Sequence, residues 1–147
     1  MSHDSLLEGV TQLRASLESA FSPDTAAPGF AGSPPSRGHC AAVALIVYDL
    51  YGGELLRTRV KGEEHWLNRV QVAGDSYDVD LTGDQFGFPT VQVKCAGELY
   101  DVERVDAARE LLAETVSRAI QLAGRAQLPE VATRIPQRFG VKATSSG

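Results

Sequence analysis

The segment Cys40 to Tyr51, CAAVALIVYDLY, is apolar around most of its circumference and constrains the fold more than any other stretch. The pair Gly52-Gly53 follows it and supplies the positive-φ stop that ends many helices. A helix without a polar face has to be buried on all sides, so the remaining chain must build layers around it. A parallel-sheet strand is the other reading, because Val43, Ile46 and Val47 are β-branched. Twelve residues is long for a strand, however, and the glycine pair suits a helix end better.

The flanking segments can supply those layers. Leu6, Leu7, Val10, Leu13 and Leu17 recur at spacings of three and four, which puts them on one stripe of a helix from about Asp4 to Ala20. SPDTAAPGFAGSPPSRG, from Ser22 to Gly38, is rich in Pro, Gly and Ser and reads as a surface loop that delivers the chain to Cys40. Glu54 to Val60, His65 to Val72 and Ser76 to Leu81 have strand character and are separated by the turn-prone Lys61-Gly62-Glu63 and Ala73-Gly74-Asp75. They predict an antiparallel meander, with a fourth strand from about Thr90 to Lys94.

Asp106 is placed to cap one long amphipathic helix running to about Ala126, and Pro129 to end it. The tail from 129 to 147 then reads as flexible or draped on the surface. The expectation is a single α+β domain over residues 1 to 128, with helices gathered on one side of an antiparallel sheet.

Fourteen Lys plus Arg against nineteen Asp plus Glu give a net charge of −5, without the basic excess that nucleic-acid binding draws on. No apolar run approaches the length of a membrane span, and no basic n-region precedes an apolar stretch at the start. A cytoplasmic protein with no nucleic-acid or membrane partner is expected; oligomeric state is open. Two cysteines in such a chain are more often thiols than a disulfide.

Cys40 would be the first residue of the buried helix, among unpaired backbone N–H groups and the positive end of the helix dipole. Both favour thiolate, and the same N–H groups can receive an oxyanion. His65 opens a strand in EEHWLNRV. The next strand, YDVDL, carries Asp78 and Asp80 two apart and therefore on one sheet face. Either carboxylate could hold the imidazole tautomer and leave the other ring nitrogen to exchange a proton with sulfur, the logic of a Cys-His-Asp triad.

GHC before a buried helix, then HWLNRV, then YDVDLT resembles the series found in the transglutaminase-like branch of papain-like cysteine enzymes. The stretch from PSRGHC through GGELLRTRV to DLTGDQFG, roughly residues 34 to 87, is closer still to the bacterial YunG-like family. The resemblance implies a papain-like fold, with Cys40 as nucleophile, His65 as base and Asp80, in the D-L-T triplet, as orienting acid. Asp78 matches nothing required, and Trp66 and Asn68 match the strand pattern without being catalytic. The separation of Cys40 from His65, 24 intervening residues, is short for transglutaminase-like domains. No glutamine lies a short distance before Cys40, as one does in papain relatives, so the oxyanion hole would rest on the Cys40 N–H and a second donor, for which Gln85 is a candidate.

Among the remaining polar groups, Cys95 reads as a structural thiol, His39 as a pocket-rim or solvent residue, and Asp84, Glu63 and Glu64 as solvated turn carboxylates. Trp66 reads as core. Arg57, Arg59 and Arg69 fall on strands, where they could face an anionic substrate. The expected function is a cysteine hydrolase or acyltransferase that acts on an amide, ester or thioester of a small molecule or peptide, with no cofactor and no metal. A zinc site at Cys40, His65 and Asp80, or a binding module of the same fold without activity, are the alternatives.

Overall fold

The computed structural model describes residues 1 to 29 and 33 to 139. The apolar segment is a helix, α2 (Cys40–Tyr51), preceded by α1 (His3–Glu18). Ser2 caps α1 by accepting a hydrogen bond from the Ser5 N–H. Gly52 and Gly53 turn the chain out of α2 with φ of 71° and 80°. A Cβ at Gly53 would collide with the Arg69 carbonyl, so only glycine allows this close approach of the turn to the sheet.

The meander follows as β1 (Glu54–Val60), β2 (Glu63–Val72), β3 (Asp75–Asp80) and β4 (Gln92–Cys95). A short β5 (Glu103–Arg104) returns to the free edge of β1, giving an antiparallel sheet of order β4-β3-β2-β1-β5. Val60 pairs with Glu63 and Val72 with Asp75, so each of the first two hairpins closes through two residues. Lys61-Gly62 and Ala73-Gly74 all have positive φ, the backbone that matches a two-residue turn to strand twist.

One face of the sheet packs on α2 through Leu55, Trp66, Val70, Val72 and Val79. Asn68 lies in the same layer and is buried, and its side-chain amide donates to the Ala44 carbonyl of α2 at 2.9 Å. α2 is enclosed further by Leu6, Val10, Leu13 and Leu17 of α1 and by two later helices, α4 (Ala113–Arg125) and α5 (Pro129–Phe139). The mixed α+β class, with helices beside an antiparallel sheet, is the expected one.

Three features depart from the sequence reading. β5 is two residues long, too short to leave a period in the sequence. The helix expected from Asp106 to Ala126 is broken in two. Asp106 does cap a helix, α3 (Ala107–Glu110), by accepting from the Ala108 N–H, but Leu111 and Leu112 are extended before α4 begins. Glu110 explains the stop: its carboxylate accepts from the Asp106 N–H at 3.0 Å and meets Arg57 at 2.7 Å, which pins the short helix to β1.

Residues 129 to 139 are a packed helix and not a loose tail. Pro129 stands at the first helical position, where its missing N–H costs nothing. Val131 and Ile135 are buried, four residues apart, and Phe139 packs against the core. Arg134 and Arg138 meet the buried Asp49 of α2 at 2.7 and 3.5 Å, which gives that carboxylate its counter-charge. Residues 140 to 147 of the expected tail lie outside the described residues.

If α5 is an integral layer, Ile135→Ala should cost about 2–4 kcal/mol of unfolding free energy. Urea titration followed by circular dichroism reads this directly; a loss under roughly 0.5 kcal/mol, the range of an ordinary surface substitution, would show that α5 is not docked.

Candidate functional site

Cys40 is the first residue of α2, half-buried, with His39 before it at the N-cap. The His39 side chain caps nothing, and the Val43 N–H is the first in the helix to find an acceptor, the His39 carbonyl at 2.9 Å. The N–H groups of the first turn therefore stay available around the sulfur. Cys40 opens into a cleft of about 580 Å³ whose walls include Ala41, Ala42, Trp66, Gln85 and Leu112. A larger cavity of about 810 Å³ lies at the other end of α2, beside Tyr48, Gly53 and Phe139, and does not touch Cys40.

His65 and Asp80 come from neighbouring strands and are both fully buried. Asn68 pairs with Val79, so Asp80 lies one rung beyond, diagonally across from His65. His65 Nε2 and Asp80 Oδ2 are 2.8 Å apart. The other ring nitrogen, Nδ1, has no hydrogen-bond partner among the described residues, and Cys40 joins Asp80 as a neighbour close enough to act on this ring. Phe86 and Tyr100 set their rings edge-on to the imidazole, with centroids 5.1 and 5.7 Å away.

Burial is the largest influence on the His65 pKa and pushes it down. Hydrogen bonding to Asp80 and Cys40, with the charge of both, outweighs it and raises the pKa to about 9. Asp80 is itself held from several directions. Its Oδ2 also accepts from the Tyr100 hydroxyl at 2.7 Å and, at 3.5 Å, from the Gln92 amide, while Oδ1 accepts from the Thr82 N–H at 3.0 Å. The D-L-T triplet therefore has a structural reason: Thr82 folds back on the carboxylate two residues before it. Gly83 completes the enclosure, since a Cβ there would lie 2.8 Å from Gln92 Nε2 and 3.0 Å from Asp80 Oδ2.

Asp78 is a separate structural group, bound to Arg69 at 2.7 and 3.1 Å and to the Gly97 N–H at 2.9 Å. Gln85 reaches the cleft, with its amide donating to the Thr82 carbonyl at 3.0 Å. Trp66 packs in the core and also walls the cleft.

Other assignments need correction. His39 is buried, not at a rim: Thr25 Oγ1 is 2.8 Å from its Nε2 and Phe21 stacks at 4.4 Å, and burial lowers its pKa. Asp84 is no solvated turn group, because it pairs at 2.9 Å with Arg14, a buried arginine that also donates to the Leu81 carbonyl at 3.0 Å. Cys95 is exposed rather than packed, at the end of an edge strand. Glu63 and Glu64 belong to β2, and Glu63 meets Arg37 at 3.1 Å. Arg57 is occupied by Glu110, Glu103 and Glu64, and Arg59 donates to the Gly62 carbonyl.

Tyr100 and Gln92 are the site residues that sequence reasoning missed. Tyr100 lies between strands in a segment without periodicity, and only the three-dimensional path of that loop brings its hydroxyl to Asp80.

The raised pKa of His65 makes a linkage prediction. A group protonated more tightly in the folded than in the unfolded chain stabilises fully below its unfolded pKa of about 6.5 and loses that contribution as pH rises through about 9. The stability gap between the native protein and His65→Gln should therefore shrink by on the order of 3 kcal/mol between about pH 6 and pH 10. Urea midpoints across that range measure it, and a gap that is flat or grows would contradict the His65–Asp80 coupling.

Among the described residues no helix is long and apolar enough to cross a membrane, and no group of three or more His, Cys, Asp or Glu side chains is arranged to hold a metal ion. A family model described as YunG protein matches residues 9 to 121. The "Uncharacterized protein YunG" of Bacillus subtilis (strain 168) is 38% identical over 55 residues, which is 37% of this chain and 44% of that protein. The chain thus aligns with less than half the length of this curated relative. No solved structure matches it. With the family model covering most of the sequence, the chain belongs to the YunG family.

Proposed function

We propose that the protein is a cysteine-dependent hydrolase or acyltransferase of papain-like, transglutaminase-like design, acting on an amide, ester or thioester through an acyl-Cys40 intermediate. The observation that carries this reading is the cluster itself: Cys40 at a helix start, close enough to act on the His65 ring, with that ring's Nε2 fixed on a buried carboxylate and its Nδ1 without a hydrogen-bond partner.

In this reading the Cys40 thiol gives its proton to His65 Nδ1, and an imidazole that keeps its proton to about pH 9 is in the form that accompanies a thiolate. Sulfur attacks the substrate carbonyl, and the oxyanion is received by first-turn N–H groups of α2, with Gln85 the nearby side-chain amide on the cleft wall. Collapse breaks the bond to the leaving group, which takes the proton from His65. Water then hydrolyses the thioester, or an amine takes the acyl group, with His65 accepting the incoming proton and returning it to sulfur. Asp80 keeps the ring oriented and offsets its charge throughout. A two-cysteine chain with free thiols suits a reducing compartment such as the cytoplasm.

A zinc site at the same three residues is less well supported. His65 Nε2 and Asp80 Oδ2 are spent on each other, and Asp80 is wrapped by Tyr100 and Thr82, so the donors do not converge on a common point.

The test is the pH dependence of iodoacetamide labelling of Cys40. It is run in a Cys95→Ser background, because the exposed Cys95 reacts as well. Rapid labelling below the free-thiol pKa of about 8.5 should slow at least about tenfold at neutral pH in His65→Ala. Labelling that rises only near that pKa and ignores the substitution would leave a binding module of the same fold as the better reading.

A further inference from the structure

The cleft beside Cys40 carries five charged side chains, and they are not equally engaged. Glu63 meets Arg37, and Glu110 meets Arg57 at 2.7 Å. Glu64 approaches the same Arg57 at 3.7 Å, and Glu103 adds a third carboxylate at 3.1 Å, so Arg57 has no capacity left for a ligand. Arg118, half-buried on α4, differs. Its guanidinium donates to the Thr115 hydroxyl at 3.4 Å, and no carboxylate of the described residues pairs with it.

The uncharged walls are equally uneven. Trp66 and Leu112 offer apolar surface, and Leu112 is 64% exposed although it is a large aliphatic side chain facing a concave site. Its extended backbone, between α3 and α4, is what holds it out.

We infer that the cleft takes a substrate bearing a carboxylate, that Arg118 binds this group, and that Leu112 and Trp66 contact the adjoining apolar part. The inference rests on the acyl-transfer reading of Cys40 and names the substrate class of that site. Arg118 is a planar donor able to take a carboxylate by two parallel hydrogen bonds, and Thr115 holds it from one side only. A singly charged group is favoured over a phosphate dianion, because three glutamates line the same cleft and repel the second charge. Arg118 contacts substrate directly and takes no part in proton transfer.

The experiment labels Cys40 with haloacetamide probes that differ only in their tails, again in the Cys95→Ser background. N-iodoacetyl-glycine, N-iodoacetyl-β-alanine and N-iodoacetyl-γ-aminobutyrate are each compared with the neutral methylamide of the same length. The protein's net charge of −5 works against an anion, so a rate ratio above one reports a local cation. For at least one tail length the anionic probe should react about fivefold faster than its neutral match, and the ratio should fall to about one in Arg118→Gln. Arg118→Lys should keep part of the preference. Arg125→Gln, which alters an arginine of the same helix outside the cleft, should leave it unchanged. The inference is overturned if no tail length gives a ratio above one, or if the ratio survives Arg118→Gln. Failure of the acyl-transfer reading shows separately, as a neutral-probe rate that is indifferent to His65→Ala.

Discussion

The enclosure of α2 is the condition on which the other parts of the structure depend. Ala42 to Val47 are all buried, and a helix in that position offers no face to water. The sheet covers one side, α1, α4 and α5 cover others, and the buried Asn68 and Asp49 are individually matched. Asn68 spends its amide on the Ala44 carbonyl, and Asp49 is held by two arginines of α5. Each match avoids the penalty of a buried polar group without a partner, about 1–3 kcal/mol for a neutral one and more for a charge. The start of α2 is left open by this packing, which brings Cys40 and not the helix centre to the cleft.

The same packing fixes the electrostatics at that end. A carboxylate and an imidazole buried side by side would be costly if either were left to itself. Asp80 avoids this by accepting from His65, Tyr100 and Thr82 at 3.0 Å or less. His65 has one nitrogen satisfied and one not. The nitrogen without a partner belongs to the ring on which Cys40 also acts, so the one incomplete position of this network is in the residue that links Asp80 to the thiol.

Much of this was legible because the relevant signals are local. The uniform apolarity of α2, the glycine pair after it and the two hairpin turns each act over a few residues, and the alternation of β2 and β3 carries His65 and Asp80 to adjacent strands. What escaped depends on partners far away in sequence. Val131 and Ile135 have helical spacing, but a proline at each end of that short interval, Pro129 and Pro136, concealed it. The break in the expected long helix comes from Arg57, more than fifty residues earlier, pulling on Glu110. Asp84 reads as a turn carboxylate until Arg14 is brought over it from α1. Tyr100 has no pattern at all, and its position follows from the path of the β4–β5 connection alone.

The two carboxylates of β3 show how far neighbours, more than residue type, decide a role. Asp78 and Asp80 are two apart and both fully buried. Asp78 faces Arg69 on the paired rung and receives two guanidinium N–H groups and the Gly97 N–H, so both its oxygens are engaged by a permanent cation or the backbone. Such a carboxylate can hold strands together but has nothing to tune. Asp80 faces a titratable ring whose second nitrogen is open, so its charge is felt as a shift in that ring's proton affinity. An arginine four residues along β2 from a histidine therefore separates a staple from a candidate relay, and the sheet register, which sets who faces whom, makes the assignment.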